Sequence, residues 1–450
     1  MLLDIERKII NMSYKIGLIS LGCEKNRVDA ERILWKLKEA GYDIVQNELD
    51  ADVVIVNTCG FIDDAKKESI DEIFNMIRQK DENKSLKIIV TGCLSERYKE
   101  KVLKEIPEID AVLGIGANDN IVEIVEKVIN GEKVELFPDK EKLSLSGGRV
   151  RTTPSHYAYV KIADGCDNRC SYCAIPLIRG KFRSRSVEDV LDEVKELIEN
   201  GVKEIILIAQ DTTRYGEDIN TNLTTLLREI CKIDGEYWIR ILYCYPDRIS
   251  DELIDLMAEE DKILKYIDIP LQHCSGKVLK DMNRKGNSES LKLLIEKIRD
   301  RILNVVIRTT IITGFPGEND EDFEELISFV REMKFERLGC FAYSREEDTK
   351  AYDMSNQIDD DVKKKRQEIV MEAQFDINKI NAEKQIGKQL QVIVDKFDED
   401  IGSWVGRSYM DAPDVDGMII IQQKNGLHTG DIVHVRISKC NDYDLIGEIL

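Results

Sequence analysis

The fold is decided by one stretch, Tyr157-Ala-Tyr-Val-Lys-Ile-Ala-Asp-Gly-Cys166-Asp-Asn-Arg-Cys170-Ser-Tyr-Cys173. Its first seven residues have the pattern of a buried strand, and a polar loop with three cysteines follows directly. Thiols at spacings of four and three residues can bind three irons of a cubane cluster, because the thiolate is the ligand form and iron favours it. One iron would then stay open for an exogenous ligand.

A structural zinc site is the alternative for Cys166, Cys170 and Cys173. Zinc would need a fourth ligand, and its motifs usually combine a short Cys-x2–4-Cys pair with a distant second pair. A purely structural role in a core is disfavoured, because Asp, Asn, Arg and Ser crowd these thiols. The cluster is therefore the favoured interpretation of the loop.

The same alternation of an apolar strand and a polar or Gly/Pro turn recurs downstream of this loop, with helical patterns in between. The further strand-like runs begin at Glu204, Tyr237, Leu264, Asn304 and Arg337. Six such units predict a partial (β/α)6 barrel whose site lies at the carboxyl ends of its strands. The count does not support closure with eight units.

A second group of cysteines lies upstream, where Cys23, Cys59 and Cys93 each end a different strand-like run. Helical patterns follow these runs, from Val28 to about Gly41 after the first and near Glu96–Glu105 after the third. This alternation predicts a parallel α/β sheet covered on both faces. Parallel strands carry their ends to one edge, so the three thiols should converge there, and an adjacent glycine leaves room for a bulky cluster. Three small buried core residues are the alternative, since free cysteine is among the most buried residue types.

The chain as a whole is predicted to be α/β with three domains. The N-terminal parallel sheet occupies residues 13–135, the central barrel with a trailing charged helix occupies 152–384, and a small five-stranded antiparallel β-barrel occupies 386–450. Between the first two, the segment from Val134 to Pro154 loses periodicity and is predicted to be a linker.

The composition is that of a globular protein and carries a net charge of −21 from 65 basic and 86 acidic residues. An acidic balance disfavours an extended surface for binding nucleic acid, whose affinity comes largely from cations on phosphates. No apolar run approaches the roughly 18 residues of a membrane span, and the start of the chain has no signal-peptide pattern. We therefore expect a cytoplasmic protein whose eleven cysteines are thiols or metal ligands.

The loop from Cys166 to Cys173 resembles the signature of the radical S-adenosylmethionine (SAM) superfamily, CxxxCxxC after the first strand of a partial barrel. The resemblance implies that the open iron binds the amino and carboxylate groups of SAM, which is cleaved to methionine and a 5′-deoxyadenosyl radical. It also implies that Tyr172, the aromatic residue before the third cysteine, lies near the adenine. Gln210 and Arg308, at or near strand ends, are further candidates for binding SAM. An internal salt bridge remains an equal alternative for Arg308.

With the cysteines at 23, 59 and 93, the chain resembles the methylthiotransferase family, which combines a three-Cys domain, a radical SAM barrel and a C-terminal TRAM domain. The resemblance implies two 4Fe–4S clusters, the second held by Cys23, Cys59 and Cys93. It implies that one SAM methylates a sulfur held on that cluster. A second SAM supplies the radical that removes hydrogen from the substrate carbon, which then takes the methylthio group.

Three segments are most similar to the subfamily that modifies small-subunit ribosomal protein twelve at the β-carbon of an aspartate. They are Ser20-Leu-Gly-Cys-Glu-Lys-Asn-Arg-Val-Asp-Ala-Glu31, the run Asn57-Thr-Cys-Gly-Phe-Ile-Asp-Asp-Ala-Lys-Lys-Glu-Ser-Ile70, and Gly406-Arg-Ser-Tyr-Met-Asp-Ala-Pro-Asp-Val-Asp-Gly417. The segment from Asp164 to Lys181 also matches. One departure is Glu24, where this subfamily usually has proline.

Two other functions remain open at this point: a tRNA methylthiotransferase acting on a modified adenosine, and a non-catalytic iron–sulfur scaffold that binds the ribosome. Residues 386–450 carry six basic and eleven acidic residues, whereas a small barrel that grips RNA should be basic. The charge favours a basic ribosomal protein as partner, with nucleic acid met only as part of the ribosome. An unidentified electron donor is a further expected partner.

Overall fold

The fold is taken from a computed structural model that describes residues 14–422 and 426–450. The chain forms two compact units. The first holds the residues up to Thr152 with Gly165–Asp167 and Ala174–Arg183, and the second holds Thr153–Asp164, Asn168–Cys173 and Ser184–Leu450. The predicted start of the first domain, residue 13, lies outside the described residues.

The first unit is built on a sheet whose strands are rich in valine and isoleucine. Its strands are β1 Lys15–Ser20, β2 Asp43–Ile44, β3 Val53–Thr58, β4 Lys87–Gly92, β5 Ala111–Leu113 and β6 Val134–Leu136. Its helices up to residue 129 are α1 Glu24–Glu39, α2 Asp63–Glu82, α3 Cys93–Tyr98, α4 Glu100–Glu105 and α5 Ile121–Ile129. The strands are all parallel in the order β2-β1-β3-β4-β5-β6. A buried apolar cluster lies on each face of the sheet, as predicted.

Three details of this unit differ from the sequence prediction. The helix predicted from Val28 begins at Glu24, where an acidic side chain in the first turn is favourable at the positive end of the helix dipole. The helix predicted near 96–105 is two short helices, because Lys99 between them has a φ of 45°. The predicted linker begins with β6, which pairs with β5 and completes the sheet.

From Tyr157 to Glu383 the chain has the predicted barrel pattern. The strands are β7 Tyr157–Lys161, β8 Ala163–Asp164, β9 Arg183–Ser184, β10 Glu204–Ile208, β11 Trp238–Ile241, β12 Ile263–Gln272, β13 Val306–Thr313 and β14 Arg337–Ala342. The helices are α6 Ile175–Arg179, α7 Val187–Glu199, α8 Leu223–Cys231, α9 Asp251–Glu259, α10 Gly276–Asp281, α11 Ser288–Arg301, α12 Asp320–Met333 and α13 Asp360–Glu383. Six strands of the second unit form one parallel sheet in the order β14-β13-β12-β11-β10-β7, which confirms the partial (β/α)6 barrel.

The C-terminal part of the second unit is a closed barrel. Its strands are β15 Gln389–Asp398, β16 Ser403–Arg407, β17 Ile419–Ile421, β18 Ile432–Asn441 and β19 Asp444–Ile449. The five-stranded barrel was predicted, but its pairing is not purely antiparallel, since β17 and β19 run parallel.

The chain between β16 and β17 contacts residues near the amino ends of the (β/α)6 strands. Asp416 accepts a hydrogen bond from the Tyr266 hydroxyl at 2.7 Å, and Asp411 pairs with Arg337 at 2.5 Å. Tyr266 and Arg337 lie in the first halves of β12 and β14. These contacts therefore do not involve the carboxyl ends of the strands. The cysteine loop follows β7 at those ends, where the site is expected. None of the helices in the described ranges is long and apolar enough to cross a membrane.

Candidate iron–sulfur centres

The first candidate centre lies in the first unit, at the carboxyl ends of strands that neighbour one another in the sheet. Cys23 follows β1, Cys59 follows β3 and Cys93 follows β4, and these strands are adjacent in the order β1-β3-β4. A Cβ atom on Gly22 would lie 2.8 Å from Cys59 Sγ, so the first two cysteine loops are in direct contact. The predicted convergence of the cysteine-bearing strand ends is present, while the ligand role of the thiols stays a prediction.

Side-chain hydrogen bonds fix these loops. The Asn26 amide donates to the carbonyl of Leu21 at 2.7 Å, and the Asn57 amide donates to the carbonyl of Asn26 at 2.8 Å. The Ser69 hydroxyl accepts from the backbone N–H of Cys59 and donates to its carbonyl, both at 2.9 Å. Asn26, Asn57 and Ser69 are all buried, so the backbone around the cysteines is held by bonds sheltered from water.

A positive charge lies beside these thiols. The Arg179 guanidinium is 3.6 Å from Cys93 Sγ through Nη2 and pairs with Asp29 at 2.5 Å through Nη1. Burial raises the pKa of the Cys93 thiol to about 12; Arg179 opposes that rise, and the neighbouring thiols of Cys59 and Cys23 add to it. Iron binding, which needs the thiolates, would therefore release protons.

The donor set fits an iron–sulfur cluster, because cysteine thiolates hold the irons of such clusters. All three cysteines are free thiols. Among the described residues, no group of three or more His, Cys, Asp or Glu side chains is arranged to hold one metal ion. In a cubane each cysteine binds a different corner iron, so its thiolates stay farther apart than the ligands of a mononuclear site. Cys23, Cys59 and Cys93 would hold such a cluster.

Gly22 is the residue whose replacement tests this packing. Gly22 has a φ of +85°, and an added Cβ would meet both Cβ and Sγ of Cys59 at less than 3 Å. We expect Gly22→Ala to lower the free energy of unfolding by more than the roughly 1–2 kcal/mol that the left-handed backbone alone costs an L-residue. The displaced Cys59 should also lower the iron content after reconstitution by about half, from about eight to about four atoms per chain. Iron analysis and denaturant titration measure these effects.

Gly41→Ala is the matched control. Gly41 has a φ of +90°, but an added Cβ would meet nothing within 4 Å. The unfolding free energy of this variant should fall only by the cost of the left-handed backbone, and the variant should keep its full iron content. Equal stability and equal iron content in the two variants would contradict the contact between Gly22 and Cys59.

The second candidate centre is the loop after β7, in which Cys166, Cys170 and Cys173 lie within eight consecutive residues. Cys166, in the first unit, is buried, and its N–H donates to the carbonyl of Gly180 at 3.1 Å. In the second unit, Cys170 and Cys173 are partly buried, and the N–H of Cys173 donates to the carbonyl of Cys170 at 3.0 Å. Arg169 has a φ of 52°, which turns the chain sharply just before Cys170.

The polar residue Asn168 anchors this loop within the second unit. Its amide donates to Asp211 at 2.8 Å, and its Oδ1 accepts from Arg248 at 3.0 Å. Arg248 also pairs with Asp211 at 3.0 Å, which closes a three-residue network just beyond β10. Asn168, one of the polar residues between the cysteines, therefore holds the loop in place, as expected for a binding loop on a rigid scaffold.

The other predicted SAM contacts have different surroundings. Tyr172 is partly buried against an apolar cluster that includes Phe315 and Tyr343. Gln210 lies just after β10, its amide donates to Asp164 at 3.0 Å, and its buried Oε1 accepts no hydrogen bond from any described residue. Tyr172 and Gln210 thus remain candidates at the carboxyl end of the barrel strands.

Arg308 is differently placed, because it is the third residue of the eight-residue strand β13 and lies away from the carboxyl end. Its guanidinium pairs with Asp268 at 3.1 Å and lies 3.6 Å from a carboxylate oxygen of Asp416. The internal salt bridge, one of the two predicted alternatives, is therefore present. Contact between Arg308 and SAM stays a prediction without geometric support.

Two arginines beside the candidate centres were missed by sequence reasoning. Arg179 lies next to Cys93, and Arg284 lies 3.8 Å from Cys170 Sγ through Nη1. A signal for Arg179 was present, since a single arginine ends the otherwise apolar run Ile175-Pro-Leu-Ile-Arg179. The five cysteines outside the two centres are free and partly or fully buried, as expected for structural residues.

Three family models match the chain. The Radical SAM superfamily matches residues 160–330, the Uncharacterized protein family UPF0004 matches residues 15–114, and the TRAM domain matches residues 386–450. The UPF0004 range contains five of the six strands of the first sheet with its three cysteines, the Radical SAM range contains most of the partial barrel with its cysteine loop, and the TRAM range contains the closed C-terminal barrel.

Curated relatives match over nearly the whole chain. The ribosomal protein uS12 methylthiotransferase RimO of Thermoanaerobacter sp. (strain X514) is 50% identical over 96% of this chain and 99% of its own length. The protein of that name from Lachnoclostridium phytofermentans is 50% identical with the same coverage. The one from Desulforamulus reducens is 48% identical over 96% of this chain and 99% of its own length.

Solved structures match the fold at lower identity. The radical S-adenosylmethionine methyltransferase TsrM from Kitasatospora setae, with cobalamin and a [4Fe-4S] cluster bound, aligns with a TM-score of 0.56 and 15% identity over 74% of this chain and 75% of that chain. The cobalamin-dependent S-adenosylmethionine radical enzyme OxsB aligns with a TM-score of 0.52 and 14% identity over 81% of this chain and 58% of that chain. At these identities the likeness concerns the fold alone.

Proposed function

The chain belongs to the radical SAM methylthiotransferase family, in the group of the ribosomal protein uS12 enzymes, and on that premise we propose that it transfers a methylthio group to uS12, at the β-carbon of an aspartate. The observation that carries the proposal is the identity of about 50% with uS12 enzymes over 96% of the chain. That identity does not favour the tRNA enzyme or the non-catalytic scaffold.

Two 4Fe–4S clusters and SAM, when bound, supply the radical and the sulfur chemistry that protein side chains cannot. Cys166, Cys170 and Cys173 would hold the cluster that binds SAM, and Cys23, Cys59 and Cys93 would hold the other. Gln210 offers its buried, unpartnered Oε1 as an acceptor for a donor group of SAM.

The remaining task of the chain is to hold these groups rigidly. Asn168, Asp211 and Arg248 fix the cysteine loop, and Asn26 with Asn57 fixes the loops of the first centre. Positioning of this kind lowers the barrier because the reacting groups need no further ordering at the moment of reaction.

The surface of the C-terminal barrel is compatible with a protein partner. Among its described residues, five acidic side chains and four basic ones are exposed. These residues are Glu399, Asp400, Asp414, Asp442 and Glu448 against Lys388, Lys396, Arg436 and Lys439. Such a surface has no excess of positive charge to neutralise phosphates. This supports a ribosomal protein rather than tRNA as the partner of the barrel. The proposal places the enzyme in the cytoplasm, with a low-potential electron donor.

The test is a strain that lacks this chain. Mass spectrometry of uS12 should find the added methylthio mass in the parent strain and not in the deletion strain, and complementation with the intact chain should restore it. The nucleosides of tRNA from the same cultures should be unchanged. Loss of methylthio-adenosine with an unaltered uS12 would overturn the proposal in favour of the tRNA substrate.

A further inference from the structure

A buried arginine lies against a cysteine of the second centre, within the second unit. Nη1 of Arg284 is 3.8 Å from Cys170 Sγ, and Nη2 donates to the carbonyl of Pro270 at 2.6 Å. The guanidinium carbon lies 4.3 Å from the centre of the Tyr245 ring. Only 7% of Arg284 is exposed, so its charge is almost fully removed from water.

Hydrogen bonds between the two loops fix the position of Arg284 relative to Cys170. The N–H of Ser171 donates to the carbonyl of Met282 at 3.0 Å, and the Ser171 hydroxyl donates to the carbonyl of Asp281 at 2.8 Å. The Asn283 amide donates to the carbonyls of Asn168 and Arg169 at 3.2 and 3.0 Å. The three residues that precede Arg284 are therefore bonded to the residues on both sides of Cys170, and these bonds hold the guanidinium against the sulfur.

The charge of Arg284 has no carboxylate partner among the described residues; its guanidinium contacts the sulfur, one carbonyl and the Tyr245 ring. A buried cation without an anion is costly, so the arrangement requires negative charge at Cys170. A thiolate bound to an iron–sulfur cluster supplies that charge.

The arginine at the first centre provides a contrast. Arg179 is 3.6 Å from Cys93 Sγ, but its charge is balanced by the carboxylate of Asp29 at 2.5 Å. Each candidate centre thus has one arginine against one cysteine, and only Arg284 lacks a carboxylate partner.

We propose that Arg284 raises the reduction potential of the cluster held by Cys166, Cys170 and Cys173, an inference that rests on the cluster placement of the proposed function. In this step the cluster gains one electron, an external low-potential donor loses it, and no bond forms or breaks. The reduced cluster carries one more negative charge, which a positive charge and an N–H···S hydrogen bond at Cys170 stabilise. Arg284 acts through Cys170 and is therefore a positioning residue.

The test uses the full chain with Cys23, Cys59 and Cys93 replaced by alanine, so that one cluster remains. Arg284→Gln removes the charge and keeps a hydrogen-bond donor, while Arg284→Lys keeps the charge. Potentiometric titration without SAM, followed by electron paramagnetic resonance of the reduced cluster, gives the reduced-to-oxidised ratio at each potential. We expect Arg284→Gln to lower that ratio about tenfold at a fixed potential, or about 59 mV for a one-electron couple. Arg284→Lys should keep most of the parent's reduced-to-oxidised ratio.

Arg228→Gln is the matched control. Arg228 lies on α8, outside the cysteine loop, and pairs with Glu252 at 2.7 Å, with about half of each side chain exposed. The reduced-to-oxidised ratio of this variant should stay within about twofold of the parent, because solvent screens an exposed charge.

Three results would overturn the inference. A cluster-loaded Arg284→Gln variant with the same ratio as Arg228→Gln would exclude an effect on the potential. Loss of the cluster from both Arg284 variants would assign the residue a structural role instead. A parent without iron would refute the cluster placement itself, so iron analysis separates the failure of the proposed function from the failure of this inference.

Discussion

Replacing Cys170 by alanine is expected to abolish the formation of 5′-deoxyadenosine from SAM. The loop after β7 offers three thiols, and in the proposed function each would hold one iron of a cubane with a single open corner. The rate should fall by at least about a thousandfold, because the bound cofactor carries chemistry that no side chain of the protein can replace. Iron should fall from about eight to about four atoms per chain. Chromatography of the nucleoside after incubation with SAM and a strong reductant measures the rate.

Two further variants serve as controls for this result. Cys231→Ala removes a cysteine at the end of α8, outside both centres, and should leave iron content and SAM cleavage unchanged. Cys59→Ala should keep SAM cleavage and lose methylthio transfer, because it alters the other centre. Undiminished 5′-deoxyadenosine from Cys170→Ala would refute the cluster placement and also the family mechanism for this chain.

The cysteine positions were predictable because the physics that places them is local. A buried parallel strand is a short, β-branched, apolar run, and parallel strands end at one edge of a sheet. Cys23, Cys59 and Cys93 each follow such a run, so their convergence needed no knowledge of distant contacts. The same argument predicted the order of strands and polar turns in the barrel.

The arginines could not be predicted in the same way. Arg179 is 86 positions from Cys93, and Arg284 is 114 positions from Cys170. No periodicity links residues so far apart, and an arginine looks the same in sequence whether it faces solvent or a sulfur. The contacts arise only when the chain after α10 folds against the cysteine loop, and when α6 packs against α3.

The charge of the C-terminal barrel shows a further limit of sequence reasoning. A count over residues 386–450 gives an excess of five acidic residues, which suggested an acidic surface. In the structure, Asp411 and Asp416 are directed inward to Arg337, Arg308 and Tyr266, and the exposed charges are nearly balanced. A sum of formal charges cannot distinguish a surface residue from one half of an internal ion pair.

Glu204→Gln is expected to lower the stability of the second unit substantially. Glu204 is fully buried at the start of β10; it accepts from Arg240 Nε at 2.6 Å and from Arg407 Nη1 at 2.7 Å. Arg407 belongs to β16, so this one carboxylate joins the (β/α)6 barrel to the C-terminal barrel. Its loss leaves the buried Arg240 guanidinium without its carboxylate partner and leaves Arg407 with Asp395 alone, which should cost about 3–5 kcal/mol of unfolding free energy. Denaturant titration at neutral pH measures it.

The pH dependence of the unfolding free energy, compared between the parent and Glu204→Gln, supplies an independent check. Burial would raise the pKa of Glu204, but Arg407 and Arg240 more than offset it, and the pKa is lowered. A carboxyl with a lowered pKa adds stability above its unfolded value of about 4.3, and that stability is lost as the pH falls through the folded pKa. The difference between the parent and Glu204→Gln should therefore be constant near neutral pH and shrink in acid.

Glu252→Gln is the matched control for both measurements. Glu252 pairs with Arg228 at 2.7 Å, but about half of each side chain is exposed. Removing an exposed pair of this kind should change the unfolding free energy by less than about 1 kcal/mol. If Glu204→Gln cost no more than Glu252→Gln, the buried network would contribute nothing to the junction of the two barrels. The C-terminal barrel would then be held by its other contacts with the (β/α)6 barrel, which include the pair of Asp411 with Arg337 and the hydrogen bond from Tyr266 to Asp416.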